Sequence, residues 1–76
     1  MTDRLPAVTA KQVIRALERA GFTISRMSGS HCRLVDARNP RRKLTVPVHA
    51  RDLSRGTLRA IIAQAGLTVS EFVKLL

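Results

Sequence analysis

Residues 22–36 carry the sequence FTISRMSGSHCRLVD, in which apolar and polar side chains alternate on both sides of a short turn. Alternation with period two is typical of β-strands that bury one face. We therefore predict strands over Phe22–Met27 and His31–Asp36, joined by a tight turn at Ser28–Ser30. Gly29 supports this turn because glycine adopts a positive φ at little cost.

The chain outside this hairpin predicts one further strand and three helices. A third alternating stretch, Lys43–Val48, follows a predicted loop over Ala37–Arg42, and Pro47 within it favours an edge position because proline cannot donate a ladder hydrogen bond. Apolar residues at helical spacing, with caps at their ends, predict helices from Thr9 to Gly21, Ser54–Ala65 and Thr68–Leu75. The fold class is therefore α+β, with the order α-β-β-β-α and a short last helix. Both main helices are expected on one face of a three-stranded antiparallel sheet.

The side chains that must point inward also predict a strand register. Leu34 is expected opposite Ile24 in the first hairpin and opposite Val46 in the second, which places His31 opposite His49. The other, open face of the sheet then carries mainly polar and cationic side chains: Thr23, Ser25, Met27, His31, Arg33, Val35, Lys43, Thr45, Pro47 and His49.

Length and charge narrow the function. With 76 residues the chain fits one small domain, predicted over residues 9–76 after a flexible tail over residues 1–8, and excludes a second domain or a barrel enzyme. Fourteen Lys and Arg oppose five Asp and Glu, for a formal charge of +9. Nine of these cations lie between Arg26 and Arg59 with only two anions. Such clustering favours a polyanionic partner, nucleic acid above all.

The single cysteine and the N-terminal sequence indicate the compartment. Cys32 has no second thiol with which to form an internal disulfide, so a reducing cytoplasm is expected. The first residues lack the apolar core of a signal peptide, and no apolar run approaches the ~20 residues that span a membrane. The two His and one Cys do not have metal-ligand spacing, so neither a metal nor another cofactor is predicted.

Gly29-Ser30-His31 is the most informative triplet for chemistry. A neutral imidazole at the lip of this turn could act as general base toward a ribose 2′-hydroxyl, whose attack on the adjacent phosphorus needs no metal. His49 is a possible second catalytic residue, as general acid, or a phosphate ligand. The simpler alternatives are a polar strand-end residue for His31 and a loop histidine for His49. The residues predicted to contact RNA are Gly29, Ser30, Arg33, Lys43, Arg41, Arg42 and, less favoured because it alternates toward the core, Arg26.

The sequence resembles the HicA toxins of bacterial and archaeal HicAB toxin–antitoxin modules. The resemblance covers roughly residues 10–75 and rests on the order of several short motifs: Gly21-Phe22, Gly29-Ser30-His31, Thr45-Val46-Pro47-Val48-His49, Gly56-Thr57-Leu58 and Ala65-Gly66-Leu67. It implies a double-stranded-RNA-binding-domain-like fold and an mRNA interferase that arrests translation. It also implies a single catalytic histidine, carried here by His31, and a cognate HicB antitoxin that covers the site.

Two other functions fit the same charge and element order. A non-catalytic double-stranded-RNA-binding module has the same fold, and only His31 in its turn and the family resemblance favour an enzyme over it. A small DNA-binding protein is less favoured, because neither helix pattern predicts an exposed basic recognition face.

Overall fold

The structure is a computed structural model that describes residues 5–76 of the chain. Three helices and three strands follow one another in the predicted order α-β-β-β-α-α. Their bounds are α1 (Ala10–Arg19), β1 (Phe22–Ser28), β2 (His31–Asp36), β3 (Asn39–Pro47), α2 (Arg55–Gln64) and α3 (Val69–Lys74).

Side-chain caps define where the helices begin, as the sequence predicts. The Thr9 hydroxyl accepts a hydrogen bond from the Gln12 backbone N–H, and the Gln12 side chain accepts one from the Thr9 N–H. The same capping box joins Thr68 and Glu71 at α3. Each box satisfies two backbone donors that a helix N-terminus otherwise leaves free.

The strands form an antiparallel sheet in the order β1-β2-β3, so β2 is central and β3 lies at an edge. These positions confirm the predicted meander and the edge location of Pro47. On one side of the sheet, α1 packs against β1 and β3, and α2 packs against β3. Side chains from both helices share one core with the buried residues of β2 and β3: Cys32, Leu34, Leu44 and Val46.

The predicted register of the second hairpin is wrong by two residues. Leu34 lies opposite Leu44 instead of Val46, and His31 lies opposite Pro47 instead of His49. The turn has only two residues, 37–38, so β3 begins well inside the predicted loop, and an irregularity between Val35 and Asp36 then shifts the register so that Lys43 lies opposite Val35. Asp36 closes this turn, because its Oδ1 accepts a hydrogen bond from the Arg38 N–H at 2.9 Å. A two-residue shift leaves every side chain on its predicted face.

A β-bulge at Ser25 changes the first hairpin. Ile24 lies opposite Leu34 as predicted, but the next pair is Arg26 with Arg33, so Ser25 has no partner of its own. One extra residue reverses the alternation beyond it. Met27 therefore shares the side of Cys32 and not the open face. The predicted burial of Ile24 is also wrong, since Ile24 is 44% exposed and Met27 56%.

The first described residues belong to the packed domain. Leu5 and Val8 are buried in the core, and the Leu53 N–H donates a hydrogen bond to the Val8 carbonyl at 3.0 Å. The boundary predicted after residue 8 is thus too late, because these two apolar side chains cover the core without any periodic pattern. Residues 1–4 of the predicted tail lie outside the described residues. Across the described part of the chain, no helix has both the length and the apolar character needed to span a membrane.

Candidate active site

A half-open cavity of about 450 Å³ lies on the open face of the sheet, at the end where β2 begins. Two neighbouring rows of side chains form it. The register places Arg26, Arg33 and Thr45 in one row across the three strands, and Ser28, His31 and Pro47 in the next. The cavity is lined by Arg26, Ser28, His31, Arg33 and Thr45.

The turn before His31 holds the imidazole at the edge of this cavity. Ser28 pairs with His31, so Gly29 and Ser30 form a two-residue turn in which Gly29 has a φ of 56°. The Ser30 carbonyl accepts a hydrogen bond of 2.6 Å from the backbone N–H of Val48. This bond ties the turn to the end of β3. His31 itself is exposed, so its ring is accessible to a substrate.

Arg26 and Arg33 are the cationic groups of the cavity. They lie directly opposite each other on β1 and β2, a placement that costs stability because like charges repel across strands. Within residues 5–76, the ion pair formed between side chains is that of Arg38 with Asp36, at the other end of β2. Neither cavity arginine thus has a carboxylate partner there. The bulge explains why the sequence disfavoured Arg26, whose simple alternation would turn it toward the core.

The other predicted contact residues lie at different distances from His31. Lys43 shares the open face and lies opposite Val35, roughly 13 Å along the strands from the His31 row. Arg41 is exposed near the start of β3. Arg42 does not face the cavity: its Nη1 donates a hydrogen bond to the Ala65 carbonyl at 3.2 Å, on the helix side of the sheet.

His49 is not brought into the cavity. His49 is exposed and lies beyond the last residue of β3. The sequence predicted His49 opposite His31, but Pro47 occupies that position. Two cavity residues, Ser28 and Thr45, were not predicted as site residues. Thr45 was expected on the open face, but Ser28 was assigned only to the turn.

A comparison with protein-family models identifies the family of the chain. The model of a protein family described as the HicA toxin of bacterial toxin–antitoxin systems matches residues 10–67, which include all five cavity residues. The chain belongs to the HicA toxin family. A search of curated proteins finds no match. As a HicA toxin, the chain has an antitoxin as its family-implied partner.

Three arginines of this HicA toxin have a structural task instead. Arg38, Arg42 and Arg19 each donate a hydrogen bond to the C-cap carbonyl of a helix, those of α1, α2 and α3 respectively, at 3.2, 3.2 and 2.6 Å. A cation at a helix C-terminus also interacts favourably with the helix dipole. The clustered positive charge predicted a polyanionic partner, but part of that charge thus stabilises the toxin's own fold.

The remaining reactive side chains lie apart from the cavity. Cys32 is buried, and burial, together with the charge of Glu18, raises the pKa of its thiol. A buried thiol of raised pKa is a poor nucleophile. Nowhere in residues 5–76 do three or more His, Cys, Asp or Glu side chains group as metal ligands would.

Proposed function

We propose that this toxin is an endoribonuclease that cleaves mRNA in the cytoplasm, with His31 as general base. The observation that carries the proposal is the cavity itself. It combines an exposed imidazole with two guanidinium groups that have no carboxylate partner among the described residues. Membership of the HicA family supports a toxic activity for the chain, and RNA is the polyanion whose cleavage an imidazole can promote.

The proposed reaction is an internal transesterification. His31 accepts the proton of a ribose 2′-hydroxyl, the O2′–P bond forms, and the P–O5′ bond breaks. The products are a 2′,3′-cyclic phosphate and a 5′-hydroxyl end. Water supplies the proton of the 5′-hydroxyl, because the cavity lining holds no second imidazole or carboxyl group. Arg26 and Arg33 contact the phosphoryl oxygens as negative charge develops on them. The turn of Gly29 and Ser30 positions the substrate beside the ring.

A pair of histidine variants tests the proposal. His31→Ala should lower the cleavage of a fluorescent single-stranded RNA by at least a hundredfold in the presence of EDTA, the lower range of acid–base catalysis. His49→Ala is the matched control, since it removes an exposed histidine outside the cavity, and it should retain activity within tenfold. The second role predicted for His49 rested on the wrong register and predicts the opposite.

The same assay separates an enzyme from a binding module. Undiminished cleavage by His31→Ala, in a protein whose circular dichroism matches that of the wild type, would refute the assignment of the base. If RNA is retarded in a gel but stays intact with the wild-type protein, the chain is a non-catalytic RNA-binding module. Loss of cleavage in EDTA alone would refute the metal-independent mechanism.

For the antitoxin partner, we propose a HicB protein that neutralises the toxin by covering the cavity. The opposing arginines favour a partner with acidic side chains at this position. Purified HicB from the neighbouring gene should block cleavage by the wild type and should bind His31→Ala equally well. Charge reversal at Arg33, to Glu, should weaken the complex. A complex that forms while cleavage continues would refute the covering mode.

A further inference from the structure

Three exposed arginines outside the cavity form a second basic region, called here the distal arginine surface: Arg51, Arg55 and Arg59. Arg51 precedes α2, and the other two lie one helical turn apart within it. Their side chains form no ion pair or hydrogen bond with any described residue, and α2 contains no Asp or Glu. The sequence predicted no basic face on either helix, so this surface is more basic than expected.

The position of these charges opposes the electrostatics of the helix. Arg55 is the first residue of α2, where the helix dipole favours an anion, and Arg59 follows at the i+4 spacing at which like charges repel. The short α3 shows the favourable arrangement, with Glu71 in its first turn and Lys74 in its last. The acidic residue nearest in the sequence, Asp52, is exposed, lies two residues before the N-cap Ser54 and forms no ion pair with these arginines. An anion bound at the arginines would offset the cost that remains in α2.

Chain connectivity places the distal arginine surface at the same end of the sheet as the cavity. β3 ends at Pro47, opposite His31, and Arg51 follows four residues later. Four residues span at most about 14 Å, which limits the distance between the Cα atoms of Pro47 and Arg51. From Arg55 to Arg59 the helix rises about 6 Å more. The surface therefore begins within about 14 Å of Pro47 at this end of the sheet, and it extends along α2 on the side of the sheet opposite the cavity.

We propose that the distal arginine surface binds the phosphate backbone of the RNA substrate several nucleotides from the cleaved bond. The proposal rests on the proposed ribonuclease function. RNA fits better than a protein partner, because protein interfaces have an apolar centre and few charges at their core, whereas nucleic-acid interfaces are polar and positive. The large apolar side chains that the described chain exposes are Ile24, Met27 and Leu76, and none of them lies in α2.

The test compares two triple variants that remove the same number of charges. The first changes each arginine of the distal surface to glutamine, a good helix former of similar length. The control carries Lys11→Gln, Arg15→Gln and Lys74→Gln, which remove three exposed cations from α1 and α3. Each protein is assayed with a dinucleotide that fits the cavity alone and with a 20-nucleotide RNA.

The distal variant should raise KM for the long RNA at least tenfold, with kcat unchanged and with the dinucleotide cleaved as by the wild type. The control should stay within about twofold of the wild type on both substrates. In a His31→Ala background, the plot of log affinity against log salt for the long RNA should lose a slope of about 2, from three contacts at about 0.7 each.

Each other outcome overturns a specific statement. Equal weakening by both triple variants would mean that only the overall charge matters, and an unchanged KM for the long RNA would mean that no contact exists there. Weaker antitoxin binding with RNA affinity intact would make the surface a protein interface instead. If the wild type cleaves neither RNA, the ribonuclease proposal fails, while the binding measurements still decide whether the distal surface holds RNA.

Discussion

Replacing Gly66 by alanine tests the assignment of Arg42 to the end of α2. Gly66 follows the C-cap residue Ala65 and has a φ of 74°, a region that residues with a Cβ rarely occupy. A Cβ at this position would also overlap the Arg42 guanidinium, with only 2.8 Å to its Cζ. The substitution therefore acts twice: it strains the backbone, and it displaces the arginine from the Ala65 carbonyl.

These two effects have separable magnitudes. The left-handed conformation costs alanine about 1–2 kcal/mol, and a cation at an exposed helix C-terminus contributes up to about 1 kcal/mol. Gly66→Ala should thus lower the free energy of unfolding by about 2 kcal/mol, and Arg42→Ala by up to about 1 kcal/mol. Because Gly66→Ala already removes the contact, the double variant should also lose only about 2 kcal/mol. Simple additivity predicts about 3 kcal/mol.

Urea unfolding followed by circular dichroism measures this coupling. In a domain of this size, 2 kcal/mol corresponds to a Tm lower by roughly 8–16 °C. Arg41→Ala is the matched control, since Arg41 is adjacent and exposed but its side chain makes no hydrogen bond with the described residues, and its effect should add to that of Gly66→Ala. Additive losses for Arg42 as well would refute the capping role, and an RNA affinity that falls more than about twofold in Arg42→Ala would refute a purely structural role for Arg42.

Three further predictions concern the cavity, a helix cap and the core. Arg26→Gln should raise the free energy of unfolding by about 0.2–1 kcal/mol, because it removes the repulsion across the strands from Arg33, while RNA cleavage falls at least tenfold; a variant that is both less stable and fully active would contradict both roles. The pKa of Glu71 is lowered because the backbone N–H of Thr68, and then its hydroxyl, bond to the carboxylate. The folded state therefore gains stability from Glu71 above the ordinary pKa of a glutamate and loses it as the pH falls through the lowered pKa. The stability advantage of the wild type over Glu71→Gln should vanish over that range in urea titrations at successive pH values. Finally, Cys32 should react with a maleimide only as fast as the domain opens, so labelling that is as fast in buffer as in urea would contradict its burial.

The periodicity of apolar residues and the helix-capping pairs were enough to predict most of the architecture. The capping pairs Thr9 with Gln12 and Thr68 with Glu71 are local, so four consecutive residues of sequence contain the whole signal. Pro47 predicts an edge strand because its missing N–H is a property of one residue. Which side chains of β2 and β3 are buried depends only on the alternation along each strand. The predicted buried sides are therefore correct, although the predicted register was wrong by two residues.

The sequence could not predict structural features that depend on contacts between residues far apart in the chain. A register shift of two residues leaves each side chain on the same face of the sheet. The hydrophobic pattern therefore cannot show whether Pro47 or His49 lies opposite His31. The bulge at Ser25 has no local signature, yet it turns Arg26 into the cavity. An arginine that caps a helix carries the same charge in the sequence as one that binds a phosphate, and only the fold distinguishes them.

The hydrogen bonds of Arg38 and Arg42 lie toward the end of the sheet that carries the turn between β2 and β3, at residues 37–38. The cavity lies at the opposite end. The arginines that stabilise the helix ends thus lie in a different part of this small protein from the residues proposed to cleave RNA. If His31 is the general base, as proposed, its substitution by a host under pressure from its own toxin would inactivate the protein without misfolding it. Such a protein would still occupy its antitoxin, and an inactive copy of the gene would then act as a decoy that releases active toxin from the same inhibitor.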